Sequence, residues 1–393
     1  MQKNYLFLYL KTGGGHLAPA RSLANYIHSH YGDEAKVSLL DGFAGVRNCV
    51  KTVVEDGYRK SQARAVWIFE ALYAFHKIPL VAFLTSVLLS FYIKPHLKKQ
   101  ILTHKPEKIV VFHFFLIRPV MQIVQHYMPH ASVMVVVTDP YTAHPIWFLR
   151  KEPEFIVFSE RVKNYCIRKK IPEENIKVFP FILDEKFTRP LSPLLSQTIK
   201  ENLGFEPGKR LILILGGADG IPKGEKMLKS FLKSSPAAEV AIVCGNNKGL
   251  YKKVWKLKNK YNFHTLKIYG YVDFVYELIN IADVVVTKCG ASTFMEVLMS
   301  GKIPVISDYI WEQEKGNKDF VCDNTMGIYE KDIDLLSTRI NELIYNPHIY
   351  NIYKSNIERQ QLINGTPMVS NYLVTHKKRQ NELTYSIRPA YWQ

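Results

Sequence analysis

A chain of 393 residues, 47% hydrophobic and 22% charged, is long enough for two domains and too apolar for a disordered polypeptide. Its net charge of +17 calls for an anionic partner, and nucleic acid and an anionic membrane surface are the two classes that supply one. The cysteines (Cys49, Cys166, Cys244, Cys289 and Cys322) are scattered without a CxxC pair, which argues against a disulfide framework or zinc site and for reduced thiols in a cytosolic compartment.

The first strand lies in "NYLFLYL", residues 4–10, leaving no room before it for a signal peptide. "KTGGGHLAPA" (11–20) follows, then a helix with Leu17, Ala20, Leu23, Ala24 and Ile27 on one side and Pro19 in its first turn. Glycine bares the backbone N–H, so Gly13, Gly14 and Gly15 make a turn that a large ligand can approach closely. His16 at its mouth is either a polar cap or a catalytic base beside an anion-binding turn. The stretch is neither GxGxxG nor GxxxxGK[ST], which sets aside the dinucleotide and P-loop readings.

Next comes "IPLVAFLTSVLLSFYI" (78–93), uncharged, with Lys77 before it and Lys94, Lys98, Lys99, Lys105 and Lys108 after it. Sixteen residues fall short of the roughly 20 that span a bilayer. The run reads as a core helix or as a monotopic element dipping into a membrane, and its lysine edge favours the membrane. With no RNP-type, zinc-finger or KH pattern, no nucleic acid partner is expected.

The remaining strands form two series. The first takes in 5–10, 36–40, 108–113, 132–139, 155–159 and 176–181; the second, 210–217, 239–245, 266–272, 283–290 and 303–309. Apolar strands alternating with helices imply parallel sheets covered on both faces. The expected fold is therefore α/β, with two facing, doubly wound, Rossmann-like domains: 1–183, a proline-bearing linker 184–208, 209–360, and a tail 361–393 packing back on the first domain. Ligands bind beyond the carboxyl ends of such strands.

The motifs sit at such ends. "TDPYTAHPIWF" (138–148) offers Asp139 and His144 beside Trp147 and Phe148, although Asp139 also suits a turn before Pro140. "LILILGGADG" places Gly216 and Gly217 in a tight turn or a phosphate-cradling loop. "DVVVTKCGASTFMEVL" ends a strand at Lys288, passes Gly290 and opens a helix at Ser292 and Thr293. There Glu296 either closes a T-x-x-E capping box or accepts hydrogen bonds from ribose hydroxyls. "SDYIWEQEKGNKDF" gathers Gln313, Glu314 and Asn317, groups suited to a hydroxyl-rich ligand, or to a solvated loop. "DID" (332–334) sits where a helix starts, and first-turn acids are ordinary there. "NGT" at Asn364 matches a glycosylation sequon by chance.

In order, "TGGGH", "TDPYTAHPIWF" and "KCGASTFMEVL…DYIWEQEKGN" resemble the MGDG synthase and diacylglycerol glycosyltransferase family, related to the enzyme that adds GlcNAc to lipid I. The family pattern runs TGGGH, TDxxxxHxxWF, KxGPGTxxEA and DYIPGQExGN, and the resemblance covers about residues 5 to 330. It implies a GT-B fold, a UDP-hexose donor, inverting transfer to diacylglycerol or a similar lipid alcohol, and a peripheral or monotopic place on the cytoplasmic side of a membrane. His16, Asp139 and His144 would then be catalytic. The glycine loops, Lys288, Ser292 and Thr293 would meet the diphosphate and Glu296 the ribose. The backbone at Tyr271 and Val272 would hold the uracil, and Gln313 and Glu314 the hexose, with Asn317 also binding substrate; no metal or other cofactor is expected. Lys11 replaces a usual Asp, Leu17 a frequent Arg, and Ala291-Ser292 and Trp311-Glu312 each a Pro-Gly, so the donor sugar stays open. The alternatives are a UDP-sugar enzyme with a non-lipid role, such as a 2-epimerase, and a transferase acting on a sterol or polyprenyl lipid.

Overall fold

The computed structural model describes residues 2–11, 14–46, 51–52, 57, 66–189, 191–234, 237–310 and 312–376. The first sheet holds β1 (Lys3–Tyr9), β2 (Ala35–Asp41), β3 (Lys108–Val111), β4 (Ser132–Val136), β5 (Glu154–Val157) and β6 (Ile176–Val178), in the order β2-β1-β3-β4-β5-β6. Helices α1 (Gly14–Tyr31), α2 (Val66–Phe75), α3 (Pro79–His104), α4 (Phe114–Tyr127) and α5 (Glu160–Arg168) accompany it. All its pairings are parallel. After α6 (Pro193–Asn202), the second sheet comprises β7 (Leu211–Leu215), β8 (Glu239–Val243), β9 (Leu266–Tyr269), β10 (Val284–Lys288), β11 (Ile303–Asp308) and β12 (Ile328–Tyr329), ordered β12-β11-β10-β7-β8-β9. Its helices are α7 (Gly224–Ser234), α8 (Lys248–Lys260), α9 (Val275–Ile281), α10 (Ala291–Met299), α11 (Lys315–Asp323), α12 (Ile333–Tyr345) and α13 (Pro347–Arg359), and α14 (Thr366–Thr375) follows them.

The inner strands of the first sheet, β1, β3, β4 and β5, are buried on both faces, which is why they read as continuous apolar runs. Leu6, Leu8, Ile109, Val111, Val133 and Val135 pack with α3 and α4. The alternate residues Tyr5, Phe7, Val110, Met134 and Val136 pack with Leu23 and Ile27 of α1 and Leu373 of α14. The C-terminal helix is tied down there: Tyr372 Oη donates to Glu154 Oε1 at 2.6 Å, and Lys108 Nζ donates to the carbonyls of Leu373 and His376. A lysine at a helix C-terminus meets the negative end of its dipole. Asn364 is buried and donates to the carbonyls of Leu183 (3.2 Å) and Asp184 (2.9 Å), so the apparent sequon builds a turn.

In each sheet the order reverses at one place, between β1 and β3 and between β7 and β10. These switch points open crevices at the carboxyl ends of the strands.

The uncharged run proves to be half of a longer helix. Leu89, Ile93, Leu97 and Ile101 of α3, four residues apart, are buried in the domain core. The outer side of its first half exposes Leu80, Phe83, Leu84, Leu88 and Phe91, the last 76% accessible, and α2 adds Trp67, Leu72 and Phe75. The 26 residues of α3 are long and apolar enough to cross a membrane by length and composition. Its second half, however, packs into the domain core, so the helix lies against the first domain with one apolar side bare.

Candidate active site

Gly14 and Gly15 open the first turn of α1, which follows the end of β1. A Cβ on Gly14 or Gly15 would meet nothing within 4 Å, so these glycines leave open space around their N–H groups. His16 follows, buried, its Nδ1 2.8 Å from the Phe112 carbonyl oxygen and 2.9 Å from Thr138 Oγ1. A carbonyl only accepts, so Nδ1 carries the proton and Nε2 keeps a lone pair. Burial lowers the His16 pKa to about 4 against a smaller opposing effect of that backbone bond. The ring is neutral at pH 7.

A second imidazole, His113, lies 4.5 Å from His16 between ring centroids. It caps α4, its Nδ1 accepting from the Phe115 N–H at 3.2 Å, and burial followed by the neighbouring His16 holds its pKa well below the usual value. The sequence motifs do not mark it, although a histidine just past an apolar strand and before a helix is the one available signal.

Asp139 follows β4, facing the same crevice. Its Oδ2 accepts from Trp147 Nε1 at 3.0 Å, and the Gln313 side chain hydrogen-bonds to it from the other domain. Burial raises its pKa to about 6, the two hydrogen bonds opposing and Glu314 adding to the rise. His144 is engaged through both ring nitrogens. Its Nδ1 accepts from the Ile146 N–H (3.1 Å), so Nε2 carries the proton and donates to the Tyr73 carbonyl (3.1 Å). With both nitrogens engaged it anchors the loop to α2 and has no lone pair left for proton transfer.

Around the second switch point, Gly217 has φ +80° and Gly216 has no room for a Cβ, which would lie 2.3 Å from Ile221 Cα. The loop conformation thus requires glycine at both positions. Helix α10 starts at Ala291 with Gly290 as its cap, so Thr293 is already inside the helix and the T-x-x-E capping box does not form. Glu296 is left without that structural task. Burial raises its pKa to about 7, Lys186 acting against the shift and Asp184 with it. Glu314 Oε2 accepts from the Ile310 N–H at 2.8 Å, and burial lifts its pKa against the pull of the Lys288 ammonium. Asn317 Nδ2 donates to the Cys289 carbonyl at 3.0 Å. Three buried oxygens here, Ser292 Oγ, Gln313 Oε1 and Asn317 Oδ1, have no hydrogen-bond partner. Seven further buried polar atoms among the described residues share that state, so the orphans do not by themselves mark a ligand site. Tyr271 is 69% exposed and Val272 half-buried just past β9, both on the rim. Gly13 and Trp311 lie outside the described residues. Asp332 of "DID" caps α12, accepting from the Asp334 N–H at 2.9 Å.

The two motif loops touch across the cleft. Tyr141 stacks on Phe320 at 4.1 Å and 16°, and the Gly316 N–H donates to Thr142 Oγ1 at 2.9 Å. Lys77 pairs with Glu312. One loop of the first domain thus carries Asp139 against the loop that holds Gln313 and Glu314.

Residues 16–180 match the family model of monogalactosyldiacylglycerol (MGDG) synthase, and residues 211–358 match the glycosyltransferase family 28 C-terminal domain. The first domain thus resembles MGDG synthase and the second the family 28 glycosyltransferases. Probable MGDG synthase 3, chloroplastic, of Oryza sativa subsp. japonica is 26% identical over 346 residues, 84% of this chain and 65% of that protein. The probable chloroplastic MGDG synthase of Nicotiana tabacum is 24% identical over 84% of this chain and 62% of its own length. MGDG synthase 2, chloroplastic, of Arabidopsis thaliana is 25% identical over 84% and 71%. The chain thus spans about two thirds of the length of the first relatives it matches. Among solved structures, Anabaena HepE in complex with UDP superposes with a TM-score of 0.59 at 14% identity, covering 95% of this chain and 98% of that one. SnogD, a glycosyltransferase of Streptomyces nogalater, gives 0.60 at 11% identity, covering 95% and 99%. These likenesses give the fold, two facing Rossmann-like domains of the GT-B type. Within the MGDG synthase pattern, Glu312 takes the place of a glycine, and it adopts φ +60°, a conformation that suits glycine.

Proposed function

We propose that this chain transfers a hexose from a UDP-sugar, with inversion, to a membrane lipid alcohol, diacylglycerol first, giving a monohexosyl glycolipid. The observation that carries the reading is the meeting of the two motif loops across the cleft, Thr142 with Gly316 and Tyr141 with Phe320, beside His16 and Asp139. The MGDG synthase match of the first domain and a fold relative solved with UDP support it.

The acceptor hydroxyl attacks the anomeric carbon as its bond to the diphosphate oxygen breaks, and UDP leaves with the bonding electrons. The hydroxyl proton passes to His16 Nε2, the general base. Asp139, held by Trp147 and Gln313, lies in the same crevice and favours the imidazolium that forms. The N–H groups at the starts of α1 and α10 face the growing diphosphate charge with Lys288 beside them, taking the part a cation plays elsewhere. Glu296 receives the ribose hydroxyls, the backbone at Tyr271 and Val272 the uracil, and Gln313 and Glu314 the hexose. The bare apolar side of α2 and α3 brings the site to the lipid, seated peripherally on an anionic bilayer at its cytoplasmic face.

The test is to incubate the protein with a panel of UDP-hexoses and membrane lipids, with and without EDTA, and to analyse products by mass spectrometry. A monohexosyl lipid insensitive to EDTA, and absent with His16→Ala, is the expected outcome. Consumption of UDP-sugar without lipid would establish the epimerase-like alternative.

A further inference from the structure

A dense run of positive charge lies in the second domain. Residues 223–260 carry ten lysines against two acids, Glu225 and Glu239. Glu239 is buried, and Glu225 is engaged by Lys229 (2.8 Å) and Lys253 (3.5 Å). Helix α8 is amphipathic in an uncommon sense. Its buried face is Leu250, Val254 and Leu257, and its outer face is a ladder of exposed lysines, Lys248, Lys252, Lys256 and Lys260, with Trp255 among them. Among the described residues no carboxylate pairs with any of these four. Like charges four residues apart work against a helix, so the ladder is a cost that burial of the opposite face offsets. The aromatics are placed with it: Trp255 and Tyr261 are exposed, Lys258 lies 5.5 Å over the Trp255 ring and Lys260 5.3 Å over Tyr261.

We propose that the α8 lysine face is a second membrane-docking surface, through which the donor domain binds anionic lipid headgroups independently of α2 and α3. The occupant follows from shape and charge. The ladder stands on the convex side of one helix rather than in a groove that could track a nucleic-acid backbone. Lysines over a flat anionic surface, with Trp and Tyr at headgroup depth, match an interface. The proposal rests on the reading that the chain works at a bilayer, and it adds a second contact, so that both domains are held on one surface and the weaker attachment is raised by effective concentration.

The experiment compares wild type, K248Q/K252Q/K256Q/K260Q and the charge-preserving K248R/K252R/K256R/K260R on phosphatidylcholine vesicles with and without about 30% phosphatidylglycerol, across salt. The glutamine variant should lose roughly tenfold or more of its anionic-vesicle partitioning at low salt and show a shallower salt slope. It should keep its phosphatidylcholine binding and its UDP affinity, and melt no lower than wild type. The arginine variant should bind like wild type. A Trp255 emission shift on anionic vesicles, identified by its absence in Trp255→Phe, should accompany binding. If the glutamine variant binds anionic vesicles as wild type does, the proposal is overturned while the bilayer reading stands. If it loses only heparin or oligonucleotide binding, the surface serves another partner and the proposal is likewise overturned. If wild type binds no vesicle of either kind, both fall together.

Discussion

At residue scale, the two groups given the acid–base work in the proposed mechanism carry pKa shifts of opposite sign. Burial holds His16 neutral above about pH 4, whereas Asp139 loses its proton near pH 6, so at neutral pH a lone pair and a carboxylate occupy one crevice. Asp139 takes up protons in the folded state between its unfolded value of 3.8 and about 6, so its contribution to stability falls as pH rises through that window. Asp139→Asn should therefore melt higher than wild type above pH 6 and level with it near pH 4, while turnover at pH 7 drops on the order of 10²-fold. A variant equally active and no more stable would remove Asp139 from the mechanism. Glu296 gives a second residue-scale prediction. Free of any capping role, Glu296→Ala should weaken UDP binding by about 1.5–3 kcal/mol, measured by calorimetry, with little change in stability. A stability loss with unchanged UDP affinity would contradict the ribose assignment. Asp139, Gln313 and Glu314 were legible in the sequence because polar groups at strand ends stand out. His113 was not, because its partner His16 lies nearly a hundred residues away, and the engagement of both His144 nitrogens depends on a carbonyl of α2.

Among elements, the inner strands were legible because both of their faces are buried and leave no polar alternation, as in β3, β4, β5, β7 and β8. The two residues of β12 carry no such pattern. The starts of α1 and α10 were also hidden, because glycines and alanine open them before the polar residues that usually mark a cap. For α3 the composition alone fits a core helix and a membrane element equally, and only the packing separates them. Leu84, Val87, Leu88 and Phe91 lie on its exposed side. Replacing all four by serine should cost little stability, within about 0.5 kcal/mol each. It should also release the protein from phosphatidylcholine vesicles, because the lost contribution is apolar and insensitive to salt. Sedimentation with vesicles and thermal melting read the two effects separately. Retained vesicle binding would move the lipid contact elsewhere on the molecule.

At the scale of the whole molecule, the cleft is set where Tyr141 and Thr142 of the first domain meet Gly316 and Phe320 of the second. A Cβ on Gly316 would stand 2.1 Å from Thr142 Oγ1 and 2.7 Å from the Tyr141 carbonyl oxygen, closer than atoms approach. Gly316 lies in the first turn of α11, where alanine is ordinarily the better helix former by roughly 0.5–1 kcal/mol. Local propensity and domain contact therefore predict opposite signs for one substitution. If the closed arrangement of the two loops is the working one, Gly316→Ala should push Gln313 away from Asp139 and lower kcat/KM by tenfold or more. UDP binding, which in the proposed function rests mainly on the second domain, should change far less. Adding Thr142→Ala removes the nearer clash but not the carbonyl, so the double variant should recover part of the loss. A Gly316→Ala protein that is more stable and fully active would mean that turnover proceeds with these two loops apart.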